Sequence, residues 1–300
     1  MNKIFIPITL ILLLMFGCST DSKDKLIVGI IKPSLNHLPF DFGLQLGILN
    51  EEDYIIKKFS SGWETNEALI SGKIDVAIMP FTYVWADISN GKKVKIISFF
   101  ERESDGIIAR KDIKTILELE GKKIGVLRAS TLDIFAEMLS DKYEIKFEPV
   151  YFRTPIDMAA ALQAGEVDAL SFYVPSIFRF NEDFKIIHWY SKDYPFHTCC
   201  DISATESALS TKLPKIKKFL SDLEKSTDEL NNSPNVAYDA AATFFKLSKK
   251  ASKNSLYNTK YIMGLDEQFQ QFEIEAINKM IEKGYIKKEV KAKDVYFKVE

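Results

Sequence analysis

Residues 68–77 read Ala-Leu-Ile-Ser-Gly-Lys-Ile-Asp-Val-Ala, and residues 161–170 read Ala-Leu-Gln-Ala-Gly-Glu-Val-Asp-Ala-Leu. Both carry Ala-Leu, then a Gly (Gly72, Gly165), then a β-branched residue and an Asp (Asp75, Asp168) in the same register. A Gly at this place ends a helix, because it takes the left-handed conformation without a Cβ penalty. The β-branched residue after it (Ile74, Val167) opens a buried strand. Each copy alone is ordinary helix–Gly–strand grammar. The matched pair at equivalent places points to a chain built from two similar halves.

On either side of these copies, strands and helices alternate. Leu26 to Ile31 is a continuous apolar run, as expected of a strand buried on both faces. Ala68 to Ser71 lies in a helical pattern, Ile74 to Met79 in a strand, Tyr83 to Ile88 in a helix and Val94 to Phe100 in a strand. Lys122 to Leu127 then starts the series again, with one Gly in the strand as in Leu26–Ile31. Strands separated by helices predict mostly parallel sheets and an α/β fold. After about residue 204 the pattern turns helical. Ile216, Phe219, Leu220 and Leu223 form one apolar stripe; Leu265, Phe269, Phe272, Ala276 and Met280 form another, closed by Gly284. These helices are expected to pack on the two α/β lobes, with their lysines on a solvated face.

The composition excludes several classes. The 300 residues are 46% hydrophobic and 27% charged, proportions of a globular chain rather than a disordered or collagen-like one. A net charge of -2 lacks the basic excess of a nucleic-acid binder. Three cysteines do not make a disulfide scaffold. The length suits about two domains of ~100–200 residues.

The N-terminus reads as an address. Lys3 gives a positive start, residues 4–17 carry no charge, and Cys18 follows Gly17. The apolar run is short of the ~20 residues a spanning helix needs and fits a secretory h-region. Leu14-Met15-Phe16-Gly17-Cys18 resembles the lipobox of bacterial lipoproteins. That resemblance implies a signal peptide over 1–17, a lipid on Cys18 and a polar tether over 18–25, placing the body on the extracytoplasmic side of the cell envelope.

The order of motifs in the body is similar to that of the substrate-binding proteins of ABC transporters, in the branch of sulfonate, taurine and nitrate binders and NMT1/THI5-like pyrimidine-precursor proteins. The residues carrying the resemblance are His37-Leu38-Pro39 after the first strand, Ser60-Ser61-Gly62 after the second, and Asn66 to Leu69 with Ser71 to Ala77. In the second half they are Leu119 to Val126 leading to Ser130-Thr131, and Met158 to Leu162 with Ala164 to Ala169. The resemblance implies a two-lobed periplasmic-binding-protein fold of type II, with two crossing strands as hinge and the ligand in the cleft. Lobe 1 is expected over 25–110 plus 196–300, and lobe 2 over 111–195. It also implies a monomer that hands a small organic molecule, an aromatic heterocycle such as a pyrimidine or a sulfonate, to an ABC permease.

Ligands of open α/β sheets bind beyond the carboxyl ends of the strands. The candidates are therefore Asn36 and His37 after the first strand, and Ser60, Ser61 and Trp63 at the second loop. Phe81, Thr82 and Tyr83 follow Pro80; Ser130, Thr131, Thr154 and Tyr173 occupy loops of the second half. Thr154 is placed to cap a helix with Pro155 at its first position. The aromatics could stack on a planar ligand or simply pack in the core. Arg128 and Arg153 lie near these loops, but no cluster of positive groups marks an anion site. Cys199 and Cys200 read as small buried strand residues; no cofactor and no metal is expected. The alternative function is an enzyme on the same two-lobe fold, of the menaquinone- or pyrimidine-pathway type, although no G-x-S-x-G, H-E-x-x-H or G-x-x-x-x-G-K-[ST] pattern occurs. A lipoprotein adhesin reusing the fold is a third reading.

Overall fold

The computed structural model describes residues 25–299; the expected signal peptide, Cys18 and most of the expected tether lie outside the described residues. The first half runs β1 (Leu26–Ile31), α1 (Leu38–Gln45), β2 (Tyr54–Phe59), α2 (Gly62–Ile70), β3 (Val76–Pro80), α3 (Phe81–Ser89) and β4 (Val94–Glu103). The second runs β5 (Asp105–Arg110), β6 (Lys123–Leu127), α4 (Thr131–Lys142), β7 (Glu148–Phe152), α5 (Pro155–Ala164), β8 (Ala169–Tyr173) and β9 (Phe184–Trp189). The chain then returns through β10 (Thr198–Thr205), α6 (Glu206–Thr211), α7 (Leu213–Asn232), α8 (Pro234–Phe245), α9 (Lys249–Tyr257), β11 (Thr259–Gly264), α10 (Glu267–Glu282) and α11 (Ala292–Val295).

The strands form two sheets, ordered β11-β4-β10-β3-β1-β2 and β7-β6-β8-β5-β9. The repeated motif does the same work in both. Gly72 and Gly165 sit beyond α2 and α5 with φ of 70° and 74°, where only Gly avoids strain. Asp75 donates its N–H to the Ile27 carbonyl at 2.9 Å and accepts the Ile27 N–H on its carboxylate at 2.8 Å. Asp168 does the same with Lys123, at 2.9 Å for both bonds. Each carboxylate thus pins the entry of one strand to its parallel neighbour, and each is further neutralised by a cation: Lys212 at 2.7 Å and Arg110 at 2.7 Å.

The continuous apolar runs are explained by burial on both faces. Val76 and Ile78 of β3 pack in one cluster with Phe40, Phe42 and Phe219; Ala77 and Met79 pack in another with Trp85, Ala276 and Met280. Two features differ from the sequence reading. The sheets are mixed rather than mostly parallel, because the strands that pass between lobes pair antiparallel: β10 with β3 and β4, and β5 with β8 and β9. The helical C-terminal region also contains β11, an edge strand paired to β4.

The first crossing lies at Ser104 rather than after residue 110, so β5 belongs to the second sheet. Glu103 and Ser104 turn the chain with φ of 62° and 70°, within the polar stretch Glu101-Arg102-Glu103-Ser104-Asp105 that separates two apolar runs. The return crossing is Tyr190–His197. The two crossings are stitched together. Glu103 donates its N–H to the His197 carbonyl at 2.9 Å, and buried Arg102 donates to the Phe196 carbonyl and Thr198 hydroxyl. A third tie comes from the C-terminal region. α10 packs on α3 of the first lobe and reaches α4 of the second, where Lys283 pairs with Glu137 at 2.6 Å and Tyr285 donates to Asp133 at 2.8 Å. Among the described residues no helix is long and apolar enough to cross a membrane.

Gly106, just past the first crossing, has no room for a side chain. A Cβ there would sit 2.6 Å from the His188 carbonyl oxygen, which the β5–β9 ladder holds in place. Gly106→Ala should therefore cost about 1–3 kcal/mol of stability, read as a lower urea midpoint with an unchanged m-value.

Candidate functional site

The carboxyl ends of β1, β3, β6 and β8 converge on a cavity of about 40 Å³ between the lobes. Its wall includes Ser34, Asn36, Ser61, Tyr83, Glu101 and Cys200 from one lobe and Asp105, Leu127, Ser130, Thr131 and Tyr173 from the other. An open groove of about 310 Å³ adjoins it, sharing Pro155 and Tyr173 and adding Lys32, Ser60, Gln163 and Arg179.

Local folding places each wall residue. Ser61 caps α2, its hydroxyl accepting the Glu64 N–H at 3.2 Å, while Glu64 folds back to the N–H and hydroxyl of Ser60. This reciprocal arrangement, the logic of a capping box, fixes the loop rigidly. Ser130 precedes α4 without capping it; its hydroxyl donates to the Leu127 carbonyl at 2.6 Å. Asp133 of α4 accepts the Ala129 N–H at 2.8 Å and so holds that loop from behind. Asn36 lies wholly buried and donates to the Ile78 carbonyl at 3.4 Å and to Cys200 Sγ at 3.6 Å. Tyr83 reaches across the cleft, its hydroxyl 3.5 Å from the Arg128 carbonyl.

Six of the expected residues thus meet in the cavity: Asn36, Ser61, Tyr83, Ser130, Thr131 and Tyr173. The others lie elsewhere. His37 is fully buried behind Asn36, with Nδ1 2.9 Å from Asn36 Oδ1, Nε2 3.3 Å from Asp41 and Phe245 edge-on to its ring. Burial lowers its pKa, so it serves as a neutral prop for Asn36 rather than a wall group. Phe81 and Thr82 are the first residues of α3, and both are wholly buried away from the cavity. Ser60 faces the outer groove. Thr154 caps α5 through the Asp157 N–H at 3.2 Å, with Pro155 at the helix start as its sequence predicts, and does not line the cavity. Trp63 is 46% exposed, its ring 5.9 Å from the Arg153 guanidinium of the opposite lobe.

The sequence reading missed the chemistry of the cavity floor. Glu101 and Asp105 come from the two strands flanking the first crossing, and Cys199 and Cys200 from the start of β10. Alternation along a strand sends adjacent side chains to opposite faces. Here Thr198 pairs with Arg102 and Cys200 with Glu101, so Cys199 is an extra residue in β10. Such a bulge re-aims side chains; both thiols face the cavity, with 3.6 Å between their sulfurs. Cys199, Cys200 and Glu101 offer ligand atoms that all lie within 4.8 Å of one another, and they are the residues that could hold a metal. Adjacent cysteines were the one available signal, but sequence alone does not reveal the bulge.

The wall contains two carboxyls and, among the described residues, no Lys or Arg. Burial, with Asp105 nearby, pushes Glu101 up to about 8. Burial also raises Asp105, against a weaker opposing effect of His197. Burial pushes Cys200 up to about 11, and Cys199 is raised by its hydrogen bond to Cys200 and by burial. Near neutral pH Glu101 and the two thiols therefore keep their protons and offer donors.

Comparison with known proteins follows this geometry. Residues 53–237 match the family model described as NMT1/THI5 like. The chain belongs to the NMT1/THI5-like family. A protein of Brucella abortus (strain 2308), provisionally named a binding protein, is 23% identical over 208 residues. That match covers 67% of this chain, and the chain spans 65% of the length of this relative. The alkanesulfonate-binding protein SsuA of Xanthomonas axonopodis pv. citri, solved bound to MOPS, superposes with a TM-score of 0.79 at 16% identity, over 91% of this chain and 98% of its own. The periplasmic nitrate-binding protein NrtA of Synechocystis PCC 6803 does so with a TM-score of 0.74 at 12% identity, over 90% and 84%. The fold is accordingly the two-lobed periplasmic-binding-protein fold.

The raised pKa of Glu101 predicts a pH dependence. Its folded value, about 8, exceeds the ordinary 4.5. Its contribution to stability is thus full below about 4.5 and is lost as pH rises through about 8. Glu101→Gln cannot ionise and should remove that loss. Between pH 5 and 8, urea titrations should show the variant gaining on the wild type by on the order of a few kcal/mol.

Proposed function

We propose that this chain is an extracytoplasmic solute-binding lipoprotein. In this reading it is anchored through a lipid on Cys18, captures a small organic molecule between its lobes and delivers it to an ABC permease. The observation that carries the reading is the two-sided cavity wall. A solute touching Asn36, Tyr83 and Glu101 on one lobe and Thr131 and Tyr173 on the other gains all its contacts only when the lobes are together. Its differential affinity then shifts the population toward closure, and the closed form is what a permease would recognise. The Trp63–Arg153 and Tyr83–Arg128 contacts across the cleft belong to that closed form.

The wall also favours one ligand class over another. A sulfonate brings a permanent anion, and the cavity offers it two carboxyls and no basic side chain. A neutral or cationic nitrogen heterocycle suits the same wall. Its ring can lie against Tyr83 and Tyr173, and its nitrogens can meet the buried hydroxyls and carboxyls. A cavity of about 40 Å³ holds little more than water, so the lobes must part to admit such a ring.

The enzyme alternative requires turnover of the bound solute, and the purified chain is expected to release it unchanged. Mass spectrometry of solute released from the full chain identifies it. At about 100 times its dissociation constant that solute should add about 2.7 kcal/mol in a thermal melt. Tyr173→Phe, which removes only a hydroxyl with no protein partner, should weaken binding at least tenfold while melting normally without solute; Asn36→Ala should also weaken binding, with a lower melt because Asn36 is wholly buried and hydrogen-bonded. If heterocycles, sulfonates and amino-acid-like compounds all leave the melt unmoved, the solute-binding reading fails.

A further inference from the structure

The floor of the cavity carries a chemistry that stacking on a heterocycle does not use. Cys199 and Cys200 present both sulfurs to the same side, 3.6 Å apart, next to the Glu101 carboxylate. In a tetrahedral site with metal–sulfur bonds of ~2.3 Å, neighbouring sulfurs stand ~3.8 Å apart. The two thiols therefore already span one edge of such a site, and the three ligand atoms lie within 4.8 Å of one another. All three residues are buried, at 1%, 7% and 3% exposure for Glu101, Cys199 and Cys200. The Asn36 side chain donates toward Cys200 Sγ at 3.6 Å, the kind of outer contact that orients a metal ligand. Room also decides between occupants. The cavity of about 40 Å³ holds a single ion as it stands, whereas a ring requires the lobes to close around it slightly further apart.

We propose that the cleft takes a thiophilic divalent cation, of the zinc or cadmium kind, as part of its cargo. Cys199 Sγ, Cys200 Sγ and a Glu101 oxygen bind it and leave the remaining coordination position facing the cavity. Two thiolates and a carboxylate suit a borderline-to-soft ion rather than magnesium or calcium. Three protein ligands leave a position for water or for a nitrogen of the solute. The inference rests on the solute-binding reading in one respect only, that the lobes open to admit what they bind.

Binding must displace protons. The ligating forms are thiolates and a carboxylate, so cation affinity should rise with pH. The titratable groups facing the cluster from other elements are Asp105 of β5, with His197 3.8 Å behind it, Tyr83 of α3 and Tyr173 of β8. Burial raises Asp105 and holds both phenols well above their ordinary value.

The test uses the full chain carrying Cys18→Ser, purified under reducing conditions, so that Cys199 and Cys200 are its only thiols. It is titrated with Cd²⁺ while the thiolate-to-metal charge-transfer absorption is read, and with Zn²⁺ against a chromophoric chelator at several pH values. The expected result is one Cd²⁺ per chain with a charge-transfer band, and Zn²⁺ binding that strengthens with pH. Glu101→Gln should keep the band and weaken Zn²⁺ binding about 10- to 100-fold. Cys199→Ser with Cys200→Ser should abolish the band. A band that survives in that double variant, or none in the parent chain, overturns the proposal. Because the double variant can fail to fold, the parent chain supplies a second criterion, and Zn²⁺ affinity that is flat with pH also overturns it. A chain that binds an organic solute one to one but no cation refutes this inference and leaves the solute-binding reading standing; a chain that binds neither refutes both.

Discussion

The cleft depends on one strand pairing. β10 runs antiparallel between β3 and β4, closing the first sheet at its centre with a segment drawn from beyond the second lobe. That pairing lays the two crossings side by side and brings the start of β10 against the end of β4. With one extra residue at Cys199, it also turns two neighbouring thiols toward Glu101. Remove the pairing and the cavity loses its floor, while the loops after β1, β6 and β8 lose the surface they converge on.

The remaining geometry is assembled around that strand by short, local devices. Asp75 and Asp168 lock the parallel pairs. The Ser61–Glu64 exchange fixes one wall loop, and Asp133 fixes another. His37 shows how support and contact divide. It looks like a ligand residue because it follows the first strand, yet its place is behind Asn36, where burial keeps it uncharged. Electrostatically the cavity is the inverse of an anion site. Desolvation raises both of its acids, and keeps Glu101 protonated, where an anion site would set Lys or Arg. The near-zero net charge of the whole chain therefore carries no information about the field at the site.

What the sequence revealed was local. The helix–Gly–strand copies, the Thr154 cap, the apolar stripes of α7 and α10 and six of the wall residues follow from nearest-neighbour patterns and strand ends. What escaped it depends on partners far apart in the chain. β11 is a short strand among helices, recognisable only by its pairing with β4 some 160 positions away. The crossing at Ser104 falls in the polar stretch Glu101–Asp105, which reads equally as a turn within one sheet until β5 is seen to pair with β8 in the other. The bulge that makes Cys199 and Cys200 neighbours on one face exists only relative to Arg102 and Glu101. Glu101 and Asp105 drew no notice because a carboxyl in a strand next to a turn looks solvent-exposed until the second lobe covers it.

The placement of β10 also orders the making of the molecule. The second sheet uses residues 105–189 alone, an uninterrupted stretch, whereas the first needs 26–103, then 198–205, then 259–264. As the chain is synthesised from its N-terminus, β3 and β4 lack the strand that lies between them until residue 205 arrives. The lobe that comes later in the sequence is the first whose strand set is complete, and the earlier one waits for its own centre.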